Sequence, residues 1–117
     1  MLKDASIFRA GLFLGKKAFI TGSTGIGLVI AAELRALGAD VIIGSRKEAN
    51  LKKGRAELET IESPGLVEQH VCNIREPESI EQAVKYAIEK FGRIDFLINN
   101  AGGQFPSPAA MISKKGW

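Results

Sequence analysis

The stretch Thr21-Gly22-Ser23-Thr24-Gly25-Ile26-Gly27 has the residue types and spacing to receive phosphate oxygens on backbone N–H groups. Each glycine has a mechanical job there. Gly22 allows a sharp exit from a strand, Gly25 lets the backbone approach a pyrophosphate, and Gly27 lets a helix press against a sheet. The unpaired N–H groups of the helix that follows, backed by its dipole, complete the anion site. Ser23, Thr24 and Ile26 complete the loop, and no Gly-Lys-Ser/Thr ending follows, which argues against an ATP-type loop.

A second group, Ser45-Arg46-Lys47, stands about twenty residues on. An acidic residue at this point would hold the ribose hydroxyls of NAD. Arg46 instead offers a planar fork for a phosphate, Lys47 adds charge and Ser45 donates a hydrogen bond, so NADP(H) is the expected ligand. The alternative is a pair of solvated charges at a helix start, a position the helix dipole disfavours unless an anion is bound. In Cys72-Asn73-Ile74, Asn73 suits the adenine ring, Ile74 its face and Cys72 the border of its pocket; a turn-forming Asn73 is the alternative. In Asn99-Asn100-Ala101-Gly102-Gly103, small residues leave room for a flat ligand and the asparagine amides can tie neighbouring loops together.

These groups must be held at one end of a sheet, and the hydrophobic pattern supplies it. Lys17 to Thr21, Ala39 to Gly44, Leu66 to Cys72 and Ile94 to Asn99 read as strands. Three helices alternate with them. The first, from Gly27 to Leu37, is expected to bury Ile26, Ile30, Leu34 and Leu37, with Val29 and Ala32 on the same general side. The second, Lys47 to Ile61, has a stripe through Leu51, Leu58 and Ile61. Gly54 in its middle costs about 1 kcal/mol relative to alanine. The third opens at Glu76-Pro77, ends at Gly92, and carries Ile80, Ala83, Val84, Ala87, Ile88 and Phe91 on one face. A further short helix is expected near Ala109.

Alternating strands and helices imply an α/β fold, a Rossmann-type parallel sheet with helices on both faces. Right-handed crossovers give the order 3-2-1-4. The fourth strand then has an open apolar edge, so the fold is expected to be truncated after it. The organisation expected is a lead-in over residues 1–15 and a partial NAD(P)-binding domain over 16–117.

Composition agrees with a globular domain rather than a disordered one: 45% of the residues are hydrophobic and 25% charged. The formal charge of +3 is spread among acidic residues, so no nucleic-acid partner is expected. No apolar run spans a bilayer, and the N-terminus is too broken by charge for a signal peptide. Cys72 is the only cysteine, which fits a reducing compartment. His70, the only histidine, has no ligand-spaced cluster around it, so no metal is expected.

In order and spacing, Thr21-Gly22…Gly25-Ile26-Gly27, Ser45-Arg46-Lys47, Cys72-Asn73-Ile74 and Asn99-Asn100-Ala101-Gly102 resemble the short-chain dehydrogenase/reductase family. The run from Asn99 to Trp117, with the segments GLFLGKKAFITG and IIGSRK, is similar to the enoyl-CoA reductases of that family, the 2,4-dienoyl-CoA reductases being near neighbours. This resemblance implies NADPH-dependent reduction of a 2-enoyl-CoA to an acyl-CoA in lipid metabolism. It places Gly103, Gln104 and Phe105 near the substrate, and it implies a peroxisomal location, with cytoplasm or mitochondria as alternatives. The C-terminal Lys115-Gly116-Trp117 is not a peroxisomal address.

The resemblance also implies that the catalytic Ser, Tyr and Lys lie beyond the point matching Trp117. The chain alone is then expected to be inactive, and any homo-oligomer to need that further half. Tyr86 and Lys90 have the family's spacing but lie on the third helix and read as structural residues. Other readings are a short non-catalytic product that binds dinucleotide or a partner, and a dienoyl-CoA or carbonyl reductase.

One departure from the family pattern concerns the glycine turn. The family has three residues between its first two glycines, whereas only Ser23 and Thr24 separate Gly22 from Gly25. Removing one residue shifts something by up to about 3 Å. A variant with one residue restored between Ser23 and Thr24 should therefore bind NADPH more tightly than the native chain. Equal dissociation constants for the two proteins would show that the short turn is fully competent.

Overall fold

The structure, a computed structural model, describes residues 7–101. Its elements are β1 (Lys17–Thr21), α1 (Gly25–Ala36), β2 (Asp40–Ser45), α2 (Glu48–Glu59), β3 (Val67–Val71), α3 (Pro77–Phe91) and β4 (Phe96–Asn99). The strands form one parallel sheet in the order β3-β2-β1-β4. The short helix expected near Ala109 lies outside the described residues.

The alternating direction of side chains along each strand divides the core into two layers. Ala18 and Ile20 of β1, Val41 and Ile43 of β2 and Val67 of β3 pack with Ala31 and Ala32 of α1 and Leu51 and Leu58 of α2. Phe19 and Ile42 point the other way and pack with Cys72 and with Ala83, Ala87 and Phe91 of α3. Ile20, Ile42, Ile43, Leu51 and Leu58 are wholly buried, each contributing about 1.5–3 kcal/mol of transfer free energy. β1 and β2 are covered on both faces, which is why they read as unbroken apolar runs.

Two helix faces differ from the sequence expectation. In α1 the buried residues are Gly27, Ala31, Ala32 and Arg35, with Leu28 and Leu34 packed beside them. Ile26 and Val29 are instead 73% and 50% exposed. Gly27 and Ala31, one turn apart, let the helix axis approach the sheet, and this close contact fixes the helix rotation. Larger apolar side chains at 26 and 29 are turned outward. Arg35 is buried because its guanidinium donates to the carbonyls of Leu58, Ile61 and Ser63, satisfying acceptors at the end of α2. On α3 only Ala83, Ala87 and Phe91 are buried, while Ile80, Val84 and Ile88 remain 38–43% exposed. Pro77 opens this helix, and Gly92 closes it at φ +82°, where glycine is unstrained.

The amino end of the sheet is held by two carboxylates. Asp40 accepts from the Lys17 ammonium and, at 2.7 Å, from the N–H of Leu66. Asp95 accepts from the N–H of Lys17 at 2.8 Å and from Arg93 Nε at 3.1 Å, and Arg93 also donates to Gly15 O. The lead-in segment packs beside them: the Phe13 N–H donates to Leu37 O, and the Phe13 ring meets Phe96 edge-on at 5.2 Å.

The Lys17 N–H, then Arg93, hold the Asp95 carboxyl below its ordinary pKa. Stability arising from this depression is present above the ordinary aspartate value of about 3.9. It is lost as pH falls through the lower folded value. Asp95→Asn should therefore be less stable than the native chain near pH 6, with the difference closing below about pH 4. Urea unfolding at both pH values checks this, and a difference independent of pH would assign the effect to packing rather than to charge.

Candidate functional site

The loops that follow β1, β2, β3 and β4 converge at the carboxyl end of the sheet, the end at which open α/β sheets bind ligands. Thr21 organises it. Its hydroxyl accepts from the N–H groups of Asn100 and Ala101, each at 3.0 Å, and lies 3.3 Å from Ile98 O, to which it donates. The Gly22 N–H donates to Gly44 O at 2.6 Å. The glycine turn is thereby tied to β2 on one side and to the β4 loop on the other.

Gly22 and Gly25 adopt φ of +115° and +57°, which closes the turn in the few residues available. α1 begins at Gly25 behind the extended N-cap Thr24, which makes no side-chain capping bond. Nothing stands within 4 Å of where a Gly25 side chain would project, so the backbone there is open to an approaching group. The Asn100 carboxamide lies against Gly22 and Gly27; a Cβ on either would crowd its nitrogen. Ser23 is buried, at 3% exposure, within the turn. Its carbonyl oxygen would stand 2.8 Å from a Cβ on Gly54. This contact explains the glycine in the middle of α2: the helix bears directly on the back of the turn.

Beside the turn lies a cavity of about 420 Å³ lined by Ser45, Arg46, Cys72, Asn73, Ile74, Arg75 and Ala101. The loops after β2 and β3 are joined at its floor, where the Cys72 N–H donates to Ser45 O at 2.9 Å. Burial pushes the Cys72 thiol pKa up, which keeps it protonated and unreactive. Asn73 forms a turn: its side-chain oxygen accepts from the Arg75 N–H at 3.0 Å, and its own N–H donates to Ser79 Oγ at 2.8 Å. Lys47 is the N-cap of α2 and does not line the cavity.

Ser45, Arg46, Cys72, Asn73, Ile74 and Ala101 are thus brought together at the cavity, while Gly22, Thr24, Gly25, Gly27 and Asn100 form the adjoining turn. Gly102, Gly103, Gln104 and Phe105 lie outside the described residues. Sequence reading missed Arg75 and Gly54. The only signal for Arg75 was a basic residue two positions after Asn73, and that for Gly54 was an otherwise costly helical glycine.

Tyr86 and Lys90 stand elsewhere. The Tyr86 hydroxyl donates to Glu68 Oε1 at 2.6 Å, a bond that raises its pKa, and Lys90 lies over its ring. His70 packs against the same ring at 4.9 Å. This cluster joins α3 to β3.

A cavity with two guanidiniums and no lining carboxylate, next to an open helix N-terminus, fits a phosphorylated dinucleotide. Residues 16–117 match the family model described as short chain dehydrogenase. The chain belongs to the short-chain dehydrogenase family.

Among its relatives, the probable 2,4-dienoyl-CoA reductase of Bacillus subtilis is 36% identical over 87% of this chain and 40% of its own length. The mitochondrial dehydrogenase/reductase SDR family member 2 of Homo sapiens is 40% identical over 86% of this chain and 36% of its own length. The peroxisomal 2,4-dienoyl-CoA reductase of Danio rerio is 36% identical over 97% of this chain and 38% of its own length.

Of solved structures, the citronellol catabolism dehydrogenase of Pseudomonas aeruginosa superposes with a TM-score of 0.79 at 45% identity, covering 95% of this chain and 45% of that one. The L-sorbose reductase of Gluconobacter frateurii, complexed with NADPH and L-sorbose, superposes with a TM-score of 0.76 at 30% identity, covering 88% and 39%. The chain therefore spans 36–45% of the length of these relatives.

Gly54→Ala tests the contact between α2 and the turn. Alanine is worth up to about 1 kcal/mol to a helix interior, whereas forcing a methyl against backbone costs about 1–3 kcal/mol. The variant should lose about 1 kcal/mol in urea unfolding. A gain in stability would mean that the turn yields freely.

Proposed function

We propose that this chain is the NADP(H)-binding part of a reductase that saturates the double bond of an enoyl-CoA. One observation carries the cofactor reading. The end of β2 presents Ser45 and Arg46 to a cavity with no acidic residue in its lining. A carboxylate there would repel a 2′-phosphate, whereas Arg46 can fork onto it and Ser45 can donate a hydrogen bond. Lys47, a cation at the start of α2, adds to the attraction.

The N–H groups at the start of α1, reached across Gly25, would receive the pyrophosphate, and Asn73, Ile74 and Ala101 would border the adenine. Asn100 keeps the turn and the β4 loop in register. NADPH, when bound, supplies a hydride for the substrate's β-carbon. The presence of NADPH in the L-sorbose reductase structure supports the cofactor reading.

The enoyl-CoA substrate class rests on the likeness of Asn99 to Trp117 to enoyl-CoA reductases. Gly102 would continue the cofactor site, and Gly103, Gln104 and Phe105 would lie near the acyl group. A second reading, reduction of a 2,4-dienoyl-CoA, is favoured by the relatives from Bacillus subtilis and Danio rerio. The relatives from Danio rerio and Homo sapiens support a peroxisomal or a mitochondrial location. Among the described residues, no helix is long and apolar enough to cross a membrane.

Calorimetric titration of the chain with NADPH and NADH tests the cofactor reading. NADPH should bind at least about tenfold more tightly, and Arg46→Ser should remove about 1.5–3 kcal/mol of that preference, the usual worth of a hydrogen bond to a charged group. Equal binding of the two cofactors by the native chain would overturn the reading.

A further inference from the structure

The second arginine of the cavity has no role in the function just described. We propose that Arg75 is a specificity-determining residue for the 2′-phosphate, acting with Arg46 as a two-guanidinium clamp. The inference rests on the NADP(H) reading and extends it to a residue on a different loop.

Three observations support it. First, Arg46 and Arg75 line the same cavity, and its lining contains no carboxylate. Second, the buried or paired arginines of this chain have evident structural partners: Arg35 binds carbonyls, Arg55 binds Glu59 and Arg93 binds Asp95. Among the described residues, neither the Arg46 nor the Arg75 guanidinium makes an ion pair or hydrogen bond. An anion in the cavity would be attracted to both guanidiniums. Third, the backbone that presents Arg75 is fixed. Its N–H is held by Asn73 Oδ1, the next N–H by Asn73 O, and Pro77 then starts α3. The turn therefore fixes where the Arg75 backbone stands at the cavity wall, and among the described residues the ligand would have no partner of Arg75 to displace.

The charge balance agrees. A phosphate monoester carries about −1.5 to −2 at neutral pH. Lys47 stands outside the lining, so within the cavity wall Arg46 supplies one positive charge and Arg75 the second. β2 and β3 pair with Ser45 opposite Val71, so the loops that carry the two arginines leave the sheet side by side.

The test uses the whole chain with two probes, adenosine 2′,5′-bisphosphate and adenosine 5′-monophosphate, against the native protein, Arg75→Gln and Arg75→Lys. Arg75→Gln should weaken the bisphosphate about tenfold or more and leave the monophosphate unchanged, with Arg75→Lys in between. Arg75 is exposed, so the urea midpoint should not move. Unchanged bisphosphate affinity in Arg75→Gln, or an equal loss for both probes, would overturn the clamp while leaving the NADP(H) reading standing. Failure of the native chain to bind the bisphosphate would overturn that reading, and the clamp with it.

Discussion

The hydroxyl of Thr21 is the interaction on which the ligand end of this molecule depends. A hydroxyl has one donor and two acceptor positions, and all three are used, toward Ile98 O and the N–H groups of Asn100 and Ala101. Thr21 is buried and its three partners are partly buried, so each bond is worth about 0.5–1.5 kcal/mol. The strand that leads into the glycine turn is thereby locked to the strand that carries the asparagine loop. Without that lock the Asn100 carboxamide would have no fixed place between Gly22 and Gly27.

The two ends of the sheet are built on opposite electrostatic plans. At the amino end, carboxylates and cations neutralise each other within the protein, through Asp40 with Lys17 and Asp95 with Arg93. At the carboxyl end, Arg46 and Arg75 border a cavity with no acidic residue. One end is neutralised within the protein, and the other keeps its positive charge facing the cavity. This asymmetry, more than the net charge of the chain, is what marks one end for binding.

Most of the fold was legible because the strands are short apolar runs punctuated by Gly and Pro, and because alternating elements leave few topologies. The strand order 3-2-1-4 follows from right-handed crossovers together with a glycine turn after the first strand that fits a dinucleotide-binding sheet. The face of α1 was not legible. Its apolar residues occur on more than one side, and the decision between them is made by Gly27 and Ala31, which have too little side chain to register as a stripe. Arg35 was invisible for a related reason: nothing local says that a charged residue will be buried beneath the end of another helix. At the site, Arg46 could be read from its place after a strand. Arg75 could not, because its relevance comes from the pairing of β2 with β3, which brings two distant loops to one cavity. The roles of Gly102 to Phe105 depend on residues outside the described structure.

The contact between Gly54 and Ser23 has a mechanical consequence. α2 starts beside the cavity that Arg46 lines and bears on the glycine turn at its midpoint, so it works as a brace between two parts of the ligand surface. A loop held from behind does not need its own residues to make it stiff. The turn between Gly22 and Gly25 can therefore be one residue short and still keep a defined shape, because its rigidity comes from a helix that begins more than twenty residues later in the chain.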